Sequence, residues 1–501
     1  MSQDLPPEYD LLIVGGGING AGIARDAAGR GLSVCLVEKD DLAQHTSSAS
    51  TKLVHGGLRY LEHLEFRLVR ESLIERERLL AIAPHIIWPM RFVLPHDEGL
   101  RPKWMLRLGL FLYDNLGGRK LLPPTRTVDL QKAPHKETLK DRLTKGFEYS
   151  DCWVEDSRLV VLNCMDARKN GADIYTGTEC IGLERQGKDW IAALRGDDGE
   201  RTIKAKLVVN AAGPWVDKVL GKAKPDESSA NLRLVKGSHL IFRKLFDGDH
   251  CYIFQNKDDR IIFAIPYERD FTLVGTTDVG FEGDPTGITI SVEETHYICD
   301  AANEYLKTSI RPEDAVSSYA GVRPLYDDSS ASNSTVTRDY QFELDDGATG
   351  DEAPILSIFG GKITTYRKLA EHALEKLGID GSSWTAAAPL PGGDIAPERY
   401  DTFVADVAQR YDWLPNSAIE RLCRAYGTRV HVILTGAQGL NDLGPNLGGD
   451  LYTRELEYLV DQEFVTSAED VLWRRSKLKL HLDKDAQERV RAWFDNAKVA
   501  A

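Results

Sequence analysis

The sequence predicts an α/β protein in which a parallel β-α-β unit at the N-terminus is followed by an antiparallel sheet and then by a helical C-terminal region. Three observations carry this prediction. A glycine-rich turn separates a buried strand from a helix within residues 9–38. Short stretches rich in β-branched and aromatic residues recur between residues 239 and 277. Helical patterns dominate beyond a Pro- and Gly-rich linker at residues 389–394.

The N-terminal unit contains a strand, a glycine turn, a helix, a second strand and an acidic residue, which together form the fingerprint of a dinucleotide site. Gly15 permits the tight turn, Gly17 lets the backbone approach a pyrophosphate, and Gly20 lets the helix pack close to the strand. The helix N-terminus offers free N–H groups and a positive dipole end to phosphates. Glu38 follows Gly20 by 18 residues, close to the spacing of about 20 for the acid that binds a ribose.

Polar and proline-rich segments follow this unit. Residues 44–60 are too rich in Ser and Thr for a core and predict a loop laid along a ligand. Residues 64–83 have helical spacing with many charge pairs. The Pro-rich segments 84–102 and 121–134 predict breaks in regular structure.

The middle of the chain is rich in predicted strands. Residues 206–215 form an apolar strand that ends in a glycine turn. The stretches 239–242, 260–265 and 271–277 predict an antiparallel sheet inserted between parts of the nucleotide domain. Residues 354–362 form a further strand that enters a pair of glycines, and a helix over 366–377 follows it.

Composition narrows the class of protein. The chain has 501 residues and a net charge of -15, which argues against general nucleic-acid binding. Seven cysteines without a C-x-x-C spacing argue against disulfides and a structural metal and favour a reducing cytoplasm. The first residues lack the pattern of a signal peptide, and no apolar run approaches the ~18 residues of a membrane span.

The glycine fingerprint alone does not separate FAD from NAD. Enzymes that pass electrons from NAD(P)H to a flavin usually need a second fingerprint. The nearest candidate, residues 436–439, lacks the required spacing and predicts a loop between helices.

Several longer motifs are more specific than the fingerprint, above all the block at residues 46–62. The motifs are Gly-Gly-Gly-Ile-Asn-Gly-Ala-Gly-Ile-Ala (15–24), Thr-Ser-Ser-Ala-Ser-Thr-Lys-Leu-Val-His-Gly-Gly-Leu-Arg-Tyr-Leu-Glu (46–62), Gly-Phe-Glu-Tyr-Ser-Asp-Cys-Trp (146–153), Gly-Thr-Thr-Asp (275–278), Ser-Tyr-Ala-Gly-Val-Arg-Pro-Leu (318–325) and Phe-Gly-Gly-Lys-Ile-Thr-Thr-Tyr-Arg-Lys-Leu-Ala (359–370). With these motifs the chain resembles the FAD-dependent, quinone-linked glycerol-3-phosphate dehydrogenases of bacteria, and the resemblance continues through residues 473–475.

The resemblance implies a glutathione-reductase-type, Rossmann-like FAD-binding domain over residues 1–388, with an inserted β-sheet substrate domain drawn roughly from 71–150 and 216–340. Residues 389–501 would form a helical cap domain. It also implies non-covalent FAD, oxidation of sn-glycerol 3-phosphate to dihydroxyacetone phosphate, and reduction of ubiquinone by a cytoplasmic enzyme bound peripherally to the inner face of the cytoplasmic membrane. A homodimer is a further family-based expectation.

Oxidation of a secondary alcohol needs a hydride acceptor, a base and a holder for the phosphate. His55 is the preferred base, since it lies in a glycine-flanked loop and has an ordinary pKa of ~6.5. The alternative is that His55 only hydrogen-bonds the flavin or the loop. His239 is the rival base, with a structural role at a strand end as its alternative.

Arginine and lysine side chains are the expected anion ligands. Arg323, also assigned to catalysis, and Arg338 are the candidates for the phosphate, and pairing with nearby aspartates is the alternative for both. Arg59 and Tyr60 are expected to line the pocket. Lys362 follows two glycines at a strand end, where it can stabilise an alkoxide or a reduced flavin.

The expected cofactor contacts combine the fingerprint, the polar loop and the glycine turns. They are Gly15, Gly17, Asn19, Gly20, Glu38, Thr46, Ser47, Ser48, Lys52, Ala212, Gly213, Trp215, Gly360, Gly361, Lys362, Thr364 and Thr365.

A flavin that reduces a lipid quinone must reach the bilayer. Residues 101–120 contain five basic residues and one acidic residue beside Trp104, Leu108 and Phe111, which is typical of an interfacial helix. An ordinary packing helix is the alternative. The basic cluster at 473–481 is expected to be a solvated helix face.

Two other classes of function stay open on sequence alone. The first is an FAD enzyme that uses O₂, either a glycerol-3-phosphate oxidase or an amine oxidase. The second is a flavoprotein without catalytic activity.

Overall fold

The computed structural model describes residues 7–97, 102–224, 232–258, 260–326, 339–347 and 350–500, apart from the side chains at positions 59, 62, 63 and 497–500. The strands are β1 (Glu8–Val14), β2 (Val34–Val37), β3 (Leu53–Val54), β4 (Ile87–His96), β5 (Arg126–Asp129), β6 (Lys145–Val154), β7 (Asp173–Tyr175), β8 (Glu179–Gln186), β9 (Asp189–Gly196), β10 (Gly199–Asn210), β11 (Leu232–Arg243), β12 (Cys251–Gln255), β13 (Ile261–Tyr267), β14 (Phe271–Gly275), β15 (Val279–Gly280), β16 (Ala315–Tyr326), β17 (Gln341–Asp345), β18 (Ile355–Phe359), β19 (Asn446–Gly448) and β20 (Leu451–Tyr452).

Helices cover the faces of the sheets and build the C-terminal region. They are α1 (Ile18–Gly29), α2 (Phe66–Ile82), α3 (Lys103–Leu116), α4 (His135–Thr138), α5 (Asp156–Lys169), α6 (Val216–Ala223), α7 (Val292–Asn303), α8 (Tyr366–Lys376), α9 (Tyr400–Arg410), α10 (Asn416–Tyr426), α11 (Val430–Ile433), α12 (Thr453–Glu463) and α13 (Lys484–Ala500). Within the described part of the chain, no helix combines the length and apolar composition needed to cross a bilayer.

The first sheet has the order β17-β18-β10-β1-β2-β7, and the hairpin β8-β9 extends it beside β10. Strands β18, β10, β1, β2 and β7 pair in parallel, so their carboxyl ends lie at one edge of the sheet. Apolar runs such as Leu11–Ile13 are fully buried because α1, α5 and α8 cover one face of the sheet and α6 with the β8-β9 hairpin packs on the other. This sheet confirms the predicted Rossmann-like unit.

The second sheet has the order β15-β11-β14-β13-β12-β4-β6-β3, with β16 beside β11 and β5 beside β6. Its pairs are antiparallel except for β4 with β12. Successive side chains face opposite sides, so Ile253 packs toward α2 and α3 whereas Tyr252 and Phe254 pack toward α7. The predicted antiparallel sheet is confirmed, and its strands come from chain segments on both sides of β7–β10.

The Pro-rich segment 84–102 was expected to break regular structure, and that expectation is wrong. Strand β4 contains Pro89 and Pro95 and pairs with β6 along its length. Its register with β12 consists of Phe92 and Val93. Both prolines therefore lie outside the stretch of β4 that pairs with β12, where no N–H donor is needed on that edge of the strand. In the other Pro-rich segment, β5 is a four-residue strand.

The C-terminal region has its own core around Val407, Leu422, Leu456 and Val490, built by α9 to α13 and the small hairpin β19-β20. This core confirms the predicted helical region. It is separate from the apolar clusters of the two sheets.

The C-terminal junction, defined by Asp41, Arg158, Glu463, Arg474 and Arg475, ties this region to the nucleotide sheet. Arg475 donates to both carboxylate oxygens of Asp41 at 2.7 Å, and Arg474 contacts the same carboxylate. Arg158 pairs with Glu463. The prediction that residues 473–481 form a solvated helix face is therefore wrong for Arg474 and Arg475. Both arginines are buried, and they share Asp41 as an acidic partner.

Candidate active site

Three glycine turns meet at the carboxyl edge of the parallel sheet. Gly15 follows β1, Ala212 and Gly213 follow β10, and Gly360 and Gly361 follow β18. Parallel strands bring such turns to one edge, where ligands of α/β sheets bind. The sequence placed these turns on separate motifs, and the sheet order brings them together.

The first turn is sterically closed to larger residues. Gly15 has a φ of 115°, in the region that favours glycine. A Cβ on Gly20 would lie 1.9 Å from the Gly15 carbonyl oxygen. This contact confirms the close helix-to-strand packing expected for Gly20.

The start of α1 is joined to two other predicted motifs. The Ile18 N–H donates to Ser47 Oγ at 3.0 Å, and the Asn19 side chain donates to the Gly360 carbonyl at 3.1 Å. A Cβ on Gly17 would lie 3.1 Å from Ser47 Oγ. The polar loop and the β18 turn thus border the helix N-terminus, where backbone N–H groups favour a phosphate.

Glu38 closes the other end of this cradle. Its buried carboxylate accepts hydrogen bonds from the Gly16 and Asp40 N–H groups at 2.7 and 3.0 Å. Burial raises the pKa of the Glu38 carboxyl, and the two N–H donors oppose that rise. Trp215 lies beside it, with the Lys39 ammonium 4.1 Å from its ring centroid.

A cavity of about 590 Å³ lies between the cradle and the second sheet. The cradle loops, β11 and β16 give it a wall that carries polar and charged groups, including His55, His239, Arg323 and Lys362. Strands β4, β12 and β13 with helix α3 give it an apolar wall. That wall includes Phe92, Leu94, Met105, Leu106, Leu108, Leu112, Ile253, Ile261 and Phe263.

His55 is half-buried in the cavity wall. Its backbone N–H donates to Thr364 Oγ1 at 3.2 Å, so the polar loop is fastened to the β18 turn. Burial lowers the pKa of His55, Lys362 and Arg76 lower it further, and Asp151 opposes them. The imidazole is therefore suited to remain neutral and to accept a proton near neutral pH.

His239 lines the same cavity. Its Nε2 lies 3.0 Å from Thr51 Oγ1, and its ring stacks on Tyr319 with centroids 4.8 Å apart. Burial, with the nearby Lys52 and Arg323, holds the pKa of His239 well below its usual range. Two neutral histidines therefore face one cavity, and the structure keeps both as candidates for the base.

Arg323 and Lys362 bring positive charge to the cavity. Arg323 Nη2 donates to the Thr277 carbonyl at 3.0 Å, and Nη1 lies 3.7 Å from Asp278. A Cβ on Gly237 would lie 2.4 Å from Arg323 Nη2, so the guanidinium crosses the strand where a glycine leaves room. Lys362 Nζ lies 3.8 Å from the Tyr60 ring centroid.

Some predicted site residues do not line the cavity, and others lie outside the residues that the structure describes. Lys52 is fully buried, and its ammonium lies 2.8 Å from both carboxylate oxygens of Asp156. It supports the polar loop and does not line the cavity. Ser48 contacts the loop backbone. Arg338 lies outside the described residues, as does the side chain of Arg59.

Sequence reasoning missed several polar residues of the cavity, notably Asp151 and Thr51. Asp151 belongs to a motif quoted above for its resemblance but given no role. The available signal is an acidic residue within the otherwise largely apolar strand that contains Asp151. That signal does not place Asp151 at the cavity, because the partners of the strand across the sheet cannot be read from the sequence.

Comparison with known proteins identifies the family to which the chain is similar. The family model "FAD dependent oxidoreductase" matches residues 10–345, and the model "C-terminal domain of alpha-glycerophosphate oxidase" matches residues 383–496. D-erythritol 1-phosphate dehydrogenase of Brucella abortus is 52% identical and covers 99% of both chains. Glycerol-3-phosphate dehydrogenase of Pseudomonas aeruginosa is 52% identical over 98% of this chain and 95% of its own.

Among solved structures, glycerol-3-phosphate dehydrogenase from Bacillus halodurans, complexed with FAD, superposes with a TM-score of 0.74. It is 27% identical and the match covers 99% of this chain and 95% of that chain. The residues of the cavity fit FAD on their own chemistry. Within the described residues, the buried Lys362 Nζ and Asn19 Oδ1 have no hydrogen-bond partner, which suits a polar ring and a phosphate-bearing ligand placed between them.

The glycine turns at the sheet edge, the acid at the end of β2 and the extent of these matches lead to one assignment. The chain belongs to the FAD-dependent oxidoreductases and, within them, to the family of the FAD-dependent glycerol-3-phosphate dehydrogenases.

Proposed function

We propose that this protein oxidises sn-glycerol 3-phosphate to dihydroxyacetone phosphate and passes the electrons to ubiquinone at the inner face of the cytoplasmic membrane. The observation that carries the proposal is the polar wall, where Arg323 and Lys362 share a cavity with His55 and His239. FAD, bound without a covalent link, supplies the hydride acceptor. A cation, a base and an alcohol-binding space are what a phosphorylated alcohol requires of the chain itself.

Each polar group has a distinct part in this proposal. The Arg323 guanidinium holds the phosphate, for which its planar fork is well matched. His55 accepts the hydroxyl proton, since its lowered pKa keeps the ring neutral. Lys362 stabilises the oxygen on which negative charge develops. Tyr60, Arg59 and Arg338 stay predictions as further substrate contacts.

Identity to the two curated relatives favours a second candidate substrate. One relative is named for glycerol 3-phosphate and the other for D-erythritol 1-phosphate, and both are 52% identical to this chain. Both substrates are phosphorylated polyols, so the same cation and base serve either. Turnover measured side by side with the two substrates separates them, and the substrate with the higher kcat/KM is the one to which the cavity is matched.

The apolar wall supports a quinone as electron acceptor. Phe92, Met105, Leu112 and Phe263 offer the contacts that an apolar ring and its isoprenoid tail require. The wall includes α3, which also carries the exposed apolar side chains Trp104 and Phe111 outside the cavity. A route from the cavity to lipid therefore follows one helix, whereas an oxidase that uses O₂ has no need of an apolar exit.

Helix α3 supports attachment to the membrane. Leu106, Leu110 and Tyr113 are buried against the protein, whereas Trp104, Leu108 and Phe111 are 66%, 52% and 63% exposed. An exposed apolar stripe of this kind is typical of an interfacial helix. The amphipathic packing helix considered as the alternative would bury its apolar residues on one side only.

Cosedimentation with vesicles of phosphatidylethanolamine and phosphatidylglycerol tests the attachment. We expect Phe111→Glu to reduce the bound fraction, because a carboxylate enters the exposed apolar face at a position that does not line the cavity. Val432→Glu is the matched control, since Val432 on α11 is 50% exposed. Equal binding of wild type and Phe111→Glu would refute the role of α3.

An anaerobic titration of the purified holoenzyme tests the reaction. Glycerol 3-phosphate is added while the flavin absorbance is followed, and a soluble ubiquinone analogue is then added. We expect bleaching on substrate and recovery on quinone. Flavin that stays oxidised with both polyol phosphates contradicts the proposed substrate class, and reoxidation by O₂ with peroxide formation, but not by quinone, contradicts the proposed acceptor.

A further inference from the structure

A buried polar network lies directly behind the His55 loop. Strand β6 places Asp151 at the cavity, and the carboxylate is only 2% exposed. Arg76 of α2 donates to it at 2.6 Å, and the Tyr113 hydroxyl of α3 donates to it at 2.8 Å. The Gly56 N–H, next to His55, donates to the Tyr113 oxygen at 2.7 Å and lies 3.3 Å from Asp151.

We propose that Asp151 and Tyr113 are positioning residues that fix the His55–Gly57 loop for proton removal from the substrate. The inference rests on the proposed function, in which His55 is the base. Neither residue is needed to contact the substrate. They act through the backbone of the loop that carries the imidazole.

The loop is held from two opposite directions. The His55 N–H is bound by Thr364, after β18, and the neighbouring Gly56 N–H is bound by Tyr113 and Asp151, from α3 and β6. The tyrosine hydroxyl donates its proton to Asp151 and accepts from the Gly56 N–H, so one group makes both bonds. Loss of either clamp leaves a buried N–H group underbonded and frees the backbone beside the base.

The packing leaves the loop little alternative space. A Cβ on Gly56 would lie 2.4 Å from Leu73 and 2.7 Å from the Tyr113 oxygen. Gly57 has a φ of 74°, so the chain turns there through the left-handed region. The imidazole direction is therefore set by a backbone that α2, α3 and β6 enclose.

The network also sets the charge that faces His55. Asp151 from β6 raises the pKa of the imidazole, whereas Lys362 after β18 and Arg76 from α2 lower it, against the larger effect of burial. Tyr113 from α3 completes the groups packed on this side, and burial keeps the pKa of its phenol far above the usual range, so it stays neutral. Removal of the Asp151 charge is therefore expected to shift the imidazole to a lower pKa.

Tyr113→Phe in the holoenzyme is the primary test, with Tyr252→Phe as the matched control. Tyr252 is also buried, and its hydroxyl contacts His135 at 2.9 Å and Thr138, on the face of the sheet turned away from the cavity. We expect Tyr113→Phe to keep the wild-type flavin content and melting temperature within the range of the control. Its kcat should fall about tenfold, with KM changed less than twofold, because the hydroxyl that donates to Asp151 and accepts from the Gly56 N–H is lost.

Asp151→Asn is the second variant, and its readout is the pH profile. The acidic limb of kcat/KM should move to lower pH, because the residue that raises the imidazole pKa has lost its charge. A Tyr113→Phe enzyme with the kcat of the Tyr252→Phe control, or an Asp151→Asn enzyme that retains flavin and an unshifted acidic limb, overturns the inference. A wild-type enzyme whose flavin is not reduced by a polyol phosphate overturns the proposed function instead.

Discussion

The cavity and the C-terminal junction both bury charged side chains, and they treat the charge in opposite ways. At the junction, Arg475 and Asp41 form a bidentate pair, and Arg475 also donates to the Glu463 carbonyl. In the cavity, Lys362 Nζ is buried and has no hydrogen-bond partner among the described residues. A buried charge that is fully paired holds two parts of a fold together, whereas the Lys362 ammonium, which lies against the Tyr60 ring and has no hydrogen-bond partner among the described residues, is suited to a ligand.

This difference separates residues that serve stability from residues that serve chemistry. Variants at the junction should lower stability and leave the kinetics of the remaining folded enzyme intact. Variants in the cavity should change the kinetics and leave the stability of the fold intact.

Asp41→Asn is expected to give the largest loss. The change leaves Arg475 buried without its anion, while Arg474 keeps its second carboxylate partner, Asp470, and such a loss typically costs about 3 to 5 kcal/mol. Thermal unfolding of the holoenzyme measures it. Lys479→Ala is the control, because its pair with Glu469 is solvent-exposed and contributes about 1 kcal/mol or less. An unchanged melting temperature in Asp41→Asn would break the comparison at its stable end.

Lys362→Met is expected to lower kcat by about 10² to 10³, as for loss of a donor at a developing oxyanion. The melting temperature should change little, since Met keeps the length of the side chain and its packing on Tyr60, and the lost ammonium has no hydrogen-bond partner among the described residues. Steady-state kinetics and a thermal melt on the same preparation measure both. A lowered melting temperature with unchanged kcat contradicts the assignment of Lys362 to chemistry.

Arg323→Ala is expected to raise KM for glycerol 3-phosphate by about tenfold to hundredfold, the usual effect of losing a charged hydrogen bond. Turnover of glycerol, which has no phosphate, should change little. The ratio of the two effects is the measurement. Equal effects on both substrates would show that Arg323 shapes the cavity through Thr277 and Asp278 and does not hold the phosphate.

His85 offers a smaller, pH-dependent test at the C-terminal side. The ring is fully buried near Gly392 and Gly427, and burial lowers its pKa to about 3. His85 of the unfolded chain binds a proton near pH 6.5, whereas the buried ring of the folded protein does not. The contribution of His85 to the free energy of unfolding is therefore fully present above pH 6.5 and is lost as pH falls. By pH 5 the expected loss is about 2 kcal/mol. Melts of wild type and His85→Gln between pH 5 and 7.5 measure it, and parallel slopes contradict it.

The sequence determined the features that depend on neighbouring residues. The glycine fingerprint and Glu38 lie within 30 residues, and the strand, turn and helix that place them are local. The helical C-terminal region and the β-rich middle follow from periodicity in the same way. His55, Arg323 and Lys362 were found through motifs whose residues are contiguous in the chain.

Which distant residues meet depends on the tertiary structure. Arg76, Tyr113 and Asp151 come from α2, α3 and β6, and their hydrogen bonds to one loop depend on strand register and helix packing. The burial of Arg474 and Arg475 depends on Asp41, more than 400 residues away in the chain. The type of residue determines whether a side chain is charged, but whether that charge is paired, exposed or open to a ligand depends on long-range packing.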